Sequence, residues 1–268
     1  MEVWRLIVDV PRSGSFNMAA DQLLLDNYSR DDHPVFRIYE WEGYVLSLGR
    51  NEKLDHKIDL YACESHGIPI IRRITGGKSV LHGFDLTYSI VGGVKDKQFS
   101  GGVLENYRFI AKGFYSFFDE LGLNPKLKKQ NYQKRKNDSH VCFSEPSAYE
   151  ILVAGKKIIG SAQRVKNLRF NDSSSSRIFL QHGTIPLKDS IPQILEIFPY
   201  VNEEKLRQEM SSLETVGIFP KLSRNDLSKL LLRKVQEAFK LKWEHRGWSQ
   251  DELSSIAELE SDYKALKS

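Results

Sequence analysis

A glycine pair flanked by basic residues is the first segment whose composition suggests chemistry. The run from Arg72 to His82 reads RRITGGKSVLH and places Gly76 and Gly77 between two arginines and Lys78. Adjacent glycines let a backbone approach a ligand closely, and their N–H groups can cradle an anion. We therefore expect this loop to hold a phosphate, a carboxylate or a developing oxyanion. The alternative is a hairpin turn with solvated basic flanks.

Cys142 is a candidate nucleophile. It follows a segment, from Lys126 to Lys136, that we expect to be a loop, that is rich in lysine and that contains no acidic residue. A thiol near cations has a lowered pKa and a larger fraction of the reactive thiolate. The alternative is a small buried core residue, which is the interpretation we give to Cys63 on its short apolar helical stripe.

A lysine stands among small and apolar residues in the run GKKIIGSAQ, from Gly155 to Gln163. This run predicts a strand over 157–162, with Lys157 and Ser161 on one face. A desolvated lysine beside a thiol would stabilise the thiolate and carry its proton. The alternative is an edge-strand lysine that prevents aggregation.

His182, in the run LQHGT, is a candidate acid, base or ligand, with a structural histidine as the alternative. The histidines show no metal-ligand spacing, so we expect no metal site. The basic run from Lys126 to Lys136 has only Tyr132 as an aromatic residue, which favours a docking surface for acidic protein partners or a solvated loop over nucleic-acid binding. No apolar stretch approaches the roughly 18–20 residues of a membrane span, and the N-terminus lacks an apolar leader, so we expect a cytoplasmic protein.

The chain has 268 residues, 28% of them charged, and a net charge of only +4. These values exclude a disordered chain and a polycation that coats DNA. Apolar periodicity predicts helices over 16–28, 58–65, 103–121, 192–197, 203–210, 225–239 and 252–265. Strands are predicted over 6–8, 35–41, 45–48, 69–73, 85–91, 149–153, 157–162, 177–180 and 183–185.

Two hairpins are predicted from these strands: 35–41 with 45–48, and 149–153 with 157–162. Because hairpins prevail over strict strand–helix alternation, the sequence predicts an α+β fold with a mixed, largely antiparallel sheet packed with helices.

Together, and in this order, the motifs resemble the lipoate–protein ligase A / lipoyltransferase family. They are FNMA at 16–19, RRITGG and VLH within 72–82, GKKIIGSAQ at 155–163 and LQHG at 180–183. The similarity runs from about Trp4 to Pro186, with a weaker helical tail after it. Lys78 stands where the family has a third glycine, and Gly83 stands where an acid often follows the histidine. Both departures weaken nucleotide binding more than acyl transfer.

The resemblance implies an α+β catalytic core like that of biotin and lipoyl protein ligases, which is class II synthetase-like. We expect it over residues 1–248, with 249–268 as a C-terminal helix packed on it. Within the family, VCF at 141–143 with Ser147 and YE at 149–150 resembles the LipM-type octanoyltransferase branch, which uses a cysteine nucleophile and no ATP. Cys142 and Lys157 are then the implied catalytic residues. The implied substrate-binding residues are Arg72, Gly76, Gly77, His82, Gly160, Ser161, Ala162 and His182.

The implied reaction moves octanoyl from acyl carrier protein to a lysine of the glycine cleavage H protein or another lipoyl domain. No cofactor is expected for it. The alternative within the family is a lipoate–protein ligase that uses ATP and Mg and binds lipoyl-adenylate through Arg72, the glycine loop and Lys157.

Overall fold

The protein is described here by a computed structural model that covers residues 1–28, 33–93, 96–99, 102–129, 149–169, 175–264 and 266. Within these ranges the strands are β1 (Glu2–Arg12), β2 (Val35–Trp41), β3 (Val45–Leu48), β4 (Ile70–Arg72), β5 (Val80–His82), β6 (Asp85–Gly93), β7 (Lys126–Lys129), β8 (Tyr149–Val153), β9 (Lys156–Lys157), β10 (Gly160–Arg169), β11 (Ser175–Pro186) and β12 (Leu241–His245). The α-helices are α1 (Gly14–Asn27), α2 (Leu60–Ser65), α3 (Val103–Glu120), α4 (Ile191–Ile197), α5 (Glu203–Glu209), α6 (Arg224–Phe239) and α7 (Gln250–Leu259). No helix of the described chain is both long enough and apolar enough to span a bilayer.

The main sheet has six strands in the order β10-β11-β6-β2-β1-β12. β1 runs parallel to β2 and β12, and the other three pairs are antiparallel, as predicted for a mixed, largely antiparallel sheet. The predicted hairpin of β2 with β3 is wrong. Both edges of β2 are occupied by β1 and β6, so β3 joins β4 and β5 in a second sheet instead.

A third sheet has the order β7-β8-β9. β8 and β9 form the predicted hairpin, and its turn residues Ala154 and Gly155 have φ of 50° and 80°, as a type I′ turn requires. The single strand predicted over 157–162 is wrong, because β9 ends at Lys157 and β10 begins at Gly160. Ile158 and Ile159 are both buried, which breaks the alternation of a strand as the chain crosses into the main sheet.

Helices cover the sheets by burying their apolar faces. α3 begins at the predicted Val103 and packs with α6 on one core, where Phe114, Phe117 and Phe118 are almost fully buried. α1 and α7 share a second core, which contains Ile256.

Ser249 and Glu252 form a capping box at the start of α7. α7 packs against α1, while the division of the chain into 1–248 and 249–268 stays a prediction. β12 was not predicted, because its five residues include only Leu241 as a fully buried side chain.

Candidate active site

An apolar cavity with about 390 Å³ of atom-free space opens between the main sheet and the second sheet. Ligand pockets are lined mainly by apolar side chains with a few polar groups, and the lining of this cavity is of that kind, which suits a small acyl chain. Met18, Tyr39, Trp41 and Val80 give it an apolar wall. Its lining also includes five of the residues predicted to bind substrate, namely His82, Gly160, Ser161, Ala162 and His182.

The register of β10 on β11 brings these predicted residues together. Ala162 lies opposite His182, and Ser161 lies opposite Gly183. A Cβ on Gly183 would lie 2.4 Å from the carbonyl oxygen of Gly160, so glycine is required for this close approach. Gly183 therefore lets β10 and β11 approach each other closely where they line the cavity.

His182 is held by a buried network that begins on α1. Its Nδ1 lies 2.9 Å from Oδ2 of Asp21, and its Nε2 lies 2.6 Å from Oγ1 of Thr75. Arg37 donates to the other oxygen of Asp21 at 3.0 Å. Burial alone would raise the pKa of Asp21, but the His182 hydrogen bond and the Arg37 charge hold that pKa below its ordinary value. His182 is thus hydrogen-bonded at both nitrogens and lines the cavity as well.

His82 has a matching arrangement on the opposite wall. Its Nδ1 lies 2.8 Å from Oδ2 of Asp85, its Nε2 lies 3.0 Å from Oγ of Ser47, and its ring stacks on Trp41 at 4.1 Å. Burial lowers the pKa of His82 below its ordinary value, although the Asp85 carboxylate opposes this. Burial would raise the pKa of Asp85, but the His82 and Thr184 hydrogen bonds hold it low. His82 is therefore neutral and Asp85 ionised at neutral pH.

The two arginines at the start of the glycine loop, residues 72–82, have different roles. Arg72 points away from the cavity lining and donates to the carbonyl oxygens of Gly49, Arg50 and Glu52. Arg73, rather than Arg72, lines the cavity, and its side chain is buried. Gly76 and Gly77 lie exposed beside the cavity and outside its lining, and Gly77 has a φ of 96°, which favours glycine. Substrate binding by Arg72, Gly76 and Gly77 stays a prediction.

Gly49 packs closely against this loop at Gly77, and we expect Gly49→Ala to destabilise the protein. An added Cβ would lie 1.8 Å from the carbonyl oxygen of Gly77, so the loop must move. Overpacking of this kind costs about 1–3 kcal/mol, which should lower the melting temperature by several degrees. Gly247→Ala is the control, because its Cβ would meet no atom within 4 Å. Equal melting temperatures for the two variants would contradict the expected clash.

Lys157 is buried at the end of β9. Its Nζ lies 3.3 Å from Oε1 of Glu150, and the two side chains are only 5% and 8% exposed. Lys157 therefore lies on an edge strand, as the alternative predicted, but its side chain is buried and does not guard that edge from solvent. Lys157 does not line the cavity, but its strand leads within three residues to Gly160, which does.

Cys142 lies outside the described residues, within 130–148. The segment before it, predicted as a loop, begins with β7, whose Lys126 and Lys128 are exposed. Cys63 is buried in the third core cluster, and burial raises the pKa of its thiol to about 11. The core interpretation of Cys63 is confirmed.

Sequence reasoning missed the charged residues behind the cavity. Asp21, Arg37 and Asp85 are each at most 4% exposed, and none was considered for the site. The available signal was a charged residue inside an otherwise buried element, as with Arg37 in the middle of β2. Among the described residues, no three His, Cys, Asp or Glu side chains are grouped as metal ligands.

Residues 13–235 match the sequence model of the lipoyl protein ligase A/B catalytic domain. The octanoyltransferase LipM of Carboxydothermus hydrogenoformans is 37% identical over 241 residues, which cover 89% of this chain and 84% of that protein. The octanoyltransferase LipM of Staphylococcus aureus is 33% identical over 89% of this chain and 84% of its own length.

Solved structures show the same fold. A lipoate–protein ligase A bound with ATP superposes with a TM-score of 0.76 at 19% identity, covering 97% of this chain and 95% of that one. A bi-partite lipoate protein ligase from Thermoplasma acidophilum, described with its E2 lipoyl domain, gives 0.76 at 17% identity, covering 97% and 93%. The predicted lipoate-ligase-like α+β fold is confirmed.

Proposed function

This chain belongs to the lipoyl protein ligase A/B catalytic domain family, and from that membership we propose that it is an octanoyltransferase acting through an acyl-enzyme on Cys142. It is an acyltransferase that moves octanoyl in lipoate biosynthesis. The observation that carries this is an identity of 30–37% with octanoyltransferases over most of the chain. The cysteine mechanism, the partners and the absence of a cofactor are the further parts of the proposal.

The first half-reaction loads the enzyme. The Cys142 thiolate attacks the thioester carbonyl of the octanoyl donor, a new C–S bond forms, and the C–S bond to the donor breaks. The Lys157 ammonium gives its proton to the departing thiolate. The tetrahedral oxyanion forms near backbone N–H groups of the glycine loop and of the Gly160–Ser161 segment, which are the donors we propose for it.

The second half-reaction unloads the enzyme. A neutral lysine amine of the acceptor attacks the octanoyl thioester on Cys142 and transfers a proton to the Lys157 amine. The Cys142 thiolate then leaves, beside a Lys157 that is again an ammonium. Both steps start from an activated thioester, so neither requires ATP.

The partners follow from this chemistry. The donor is octanoyl-acyl carrier protein, and the acceptor is the glycine cleavage H protein or another lipoyl domain. Exposed Lys126 and Lys128 on β7 lie at the start of the segment that contains Cys142, and they suit the acidic surfaces expected on both partners. The ligase from Thermoplasma acidophilum, described with its E2 lipoyl domain, supports a lipoyl domain as the acceptor class.

The test is a single-turnover experiment with purified enzyme, octanoyl-acyl carrier protein and no acceptor. We expect the enzyme to gain one octanoyl mass that hydroxylamine removes and that peptide mapping assigns to Cys142. Addition of apo H protein should then discharge the enzyme, with or without ATP. Pyrophosphate release that depends on free octanoate or lipoate would instead establish an ATP-dependent ligase.

A further inference from the structure

Arg73 connects the two histidine–aspartate pairs that line the cavity. Its Nη1 donates to Oγ of Ser47 at 3.3 Å, and Ser47 contacts Nε2 of His82 at 3.0 Å. Its Nε donates to Oγ1 of Thr75 at 3.2 Å, and Thr75 contacts Nε2 of His182 at 2.6 Å. A single guanidinium therefore lies between two similar series of hydrogen bonds. Each series runs through a hydroxyl and an imidazole to a buried carboxylate.

All the hydrogen-bonding capacity of Arg73 is used within the protein. A guanidinium has five N–H groups. Besides the two bonds to hydroxyls, Arg73 donates to the carbonyl oxygens of Ser47 at 2.9 Å, Gly76 at 2.9 Å and Lys78 at 2.7 Å. These five bonds leave no N–H for an acyl substrate, although the side chain lines the cavity.

The carboxylates and hydroxyls limit where the imidazole protons lie. Thr75 and Ser47 each accept from Arg73, and their hydroxyl oxygens lie 2.6 Å from Nε2 of His182 and 3.0 Å from Nε2 of His82. Ser47 can also donate to the Val80 carbonyl oxygen at 3.5 Å. A carboxylate only accepts, so Nδ1–H of each ring donates to its aspartate, and Nε2 faces the hydroxyl that Arg73 holds.

Arg73 also sets the orientation of the glycine loop. Its bond to the Gly76 carbonyl turns that oxygen inward. Since the C=O and N–H of a trans peptide point in opposite directions, the Gly77 N–H faces the exposed side of the loop. A Cβ on Gly77 would lie 2.9 Å from Nη2 of Arg73, so the loop is wrapped closely around the guanidinium.

We propose that Arg73 is a positioning residue for acyl transfer, which orients the Ser47 and Thr75 hydroxyls so that Nε2 of His82 and of His182 stays the acceptor, and which fixes the glycine loop. It acts through these groups without touching the substrate. The effect on turnover rests on the proposed octanoyl transfer, whereas the tautomers can be measured independently of any activity.

The test compares Arg73→Lys with Arg5→Lys. A lysine keeps the charge but has only three N–H groups at one point, so it cannot serve five acceptors. Arg5 is a matched control, because it is also buried and holds the carbonyl oxygens of Arg246 and Gly247, which do not line the cavity. We expect both variants to lose thermal stability. Only Arg73→Lys should lower kcat, by about 10- to 100-fold, with KM changed by less than about threefold.

Two-bond ¹⁵N–¹H correlation spectra of labelled histidine report the tautomers directly. We expect Nδ1–H signals for His82 and His182 in the wild type and in Arg5→Lys, and mixed tautomers in Arg73→Lys. Thr75→Val, which removes only one hydroxyl, should disturb His182 and leave His82 unchanged. It provides the same test if Arg73→Lys does not fold.

Retention of both Nδ1–H tautomers in Arg73→Lys, or of the His182 tautomer in Thr75→Val, would overturn the proposal. So would a wild-type kcat in Arg73→Lys. A wild-type enzyme that fails to transfer octanoyl would refute the proposed function instead, and the tautomer spectra would then decide the role of Arg73 alone.

Discussion

Replacing Cys142 by alanine is expected to abolish octanoyl transfer, with kcat/KM falling by about 10³-fold or more. Two protein partners can hardly reach one small site together. An acyl group held on Cys142 lets the donor leave before the acceptor docks, which gives ping-pong kinetics. Without the thiol there is no covalent intermediate, so the octanoyl adduct seen by mass spectrometry should disappear together with the turnover.

Cys63→Ala is the matched control for this experiment. Cys63 is only 2% exposed, and burial raises the pKa of its thiol to about 11, so it carries almost no thiolate at neutral pH. The Cys63→Ala enzyme should keep both the adduct and the rate. Cys142→Ser should trap a slowly hydrolysed oxygen ester. If Cys142→Ala still transfers octanoyl at the wild-type rate, the cysteine is structural, and direct transfer or adenylate chemistry takes its place.

The elements with strong periodicity could be predicted from the sequence. α3 shows an apolar stripe with three- and four-residue spacing and begins at the predicted Val103. The tight turn between β8 and β9 could be predicted from its glycine, Gly155. The pairing of β2 could not be predicted. Its residues are buried on both faces, and such a strand gives no local sign of which strands it pairs with.

The candidate site was likewise predicted only in part. Gly160, Ser161 and His182 were identified through short motifs, and the register of β10 on β11 brings them together. The carboxylate that orients His182 was missed, because Asp21 is 161 residues away in the sequence. A histidine signals that chemistry is available, but the partners that orient it depend on tertiary packing.

Replacing Lys157 by alanine is expected to lower octanoyl transfer by about 10²–10⁴-fold, the usual contribution of a positioned acid–base group. If Lys157 acts on Cys142 as proposed, loss of the ammonium should also raise the pH at which Cys142 is alkylated, because the thiolate loses its cationic partner. Lys157→Arg should restore the charge without restoring the rate, since a guanidinium does not give up its proton. Initial rates and the pH profile of iodoacetamide labelling in the Cys63→Ala background measure both effects.

Stability must be separated from chemistry in this experiment, because Lys157→Ala leaves the buried carboxylate of Glu150 without the ammonium 3.3 Å away. Removal of one member of a buried pair costs about 3–5 kcal/mol, whereas replacement of both by neutral groups of similar size is often nearly neutral. The double variant Lys157→Met with Glu150→Gln should therefore regain most of the melting temperature while its transfer rate stays low. If transfer recovers together with stability in the double variant, Lys157 supports only the fold, and another group must carry the proton between donor and acceptor.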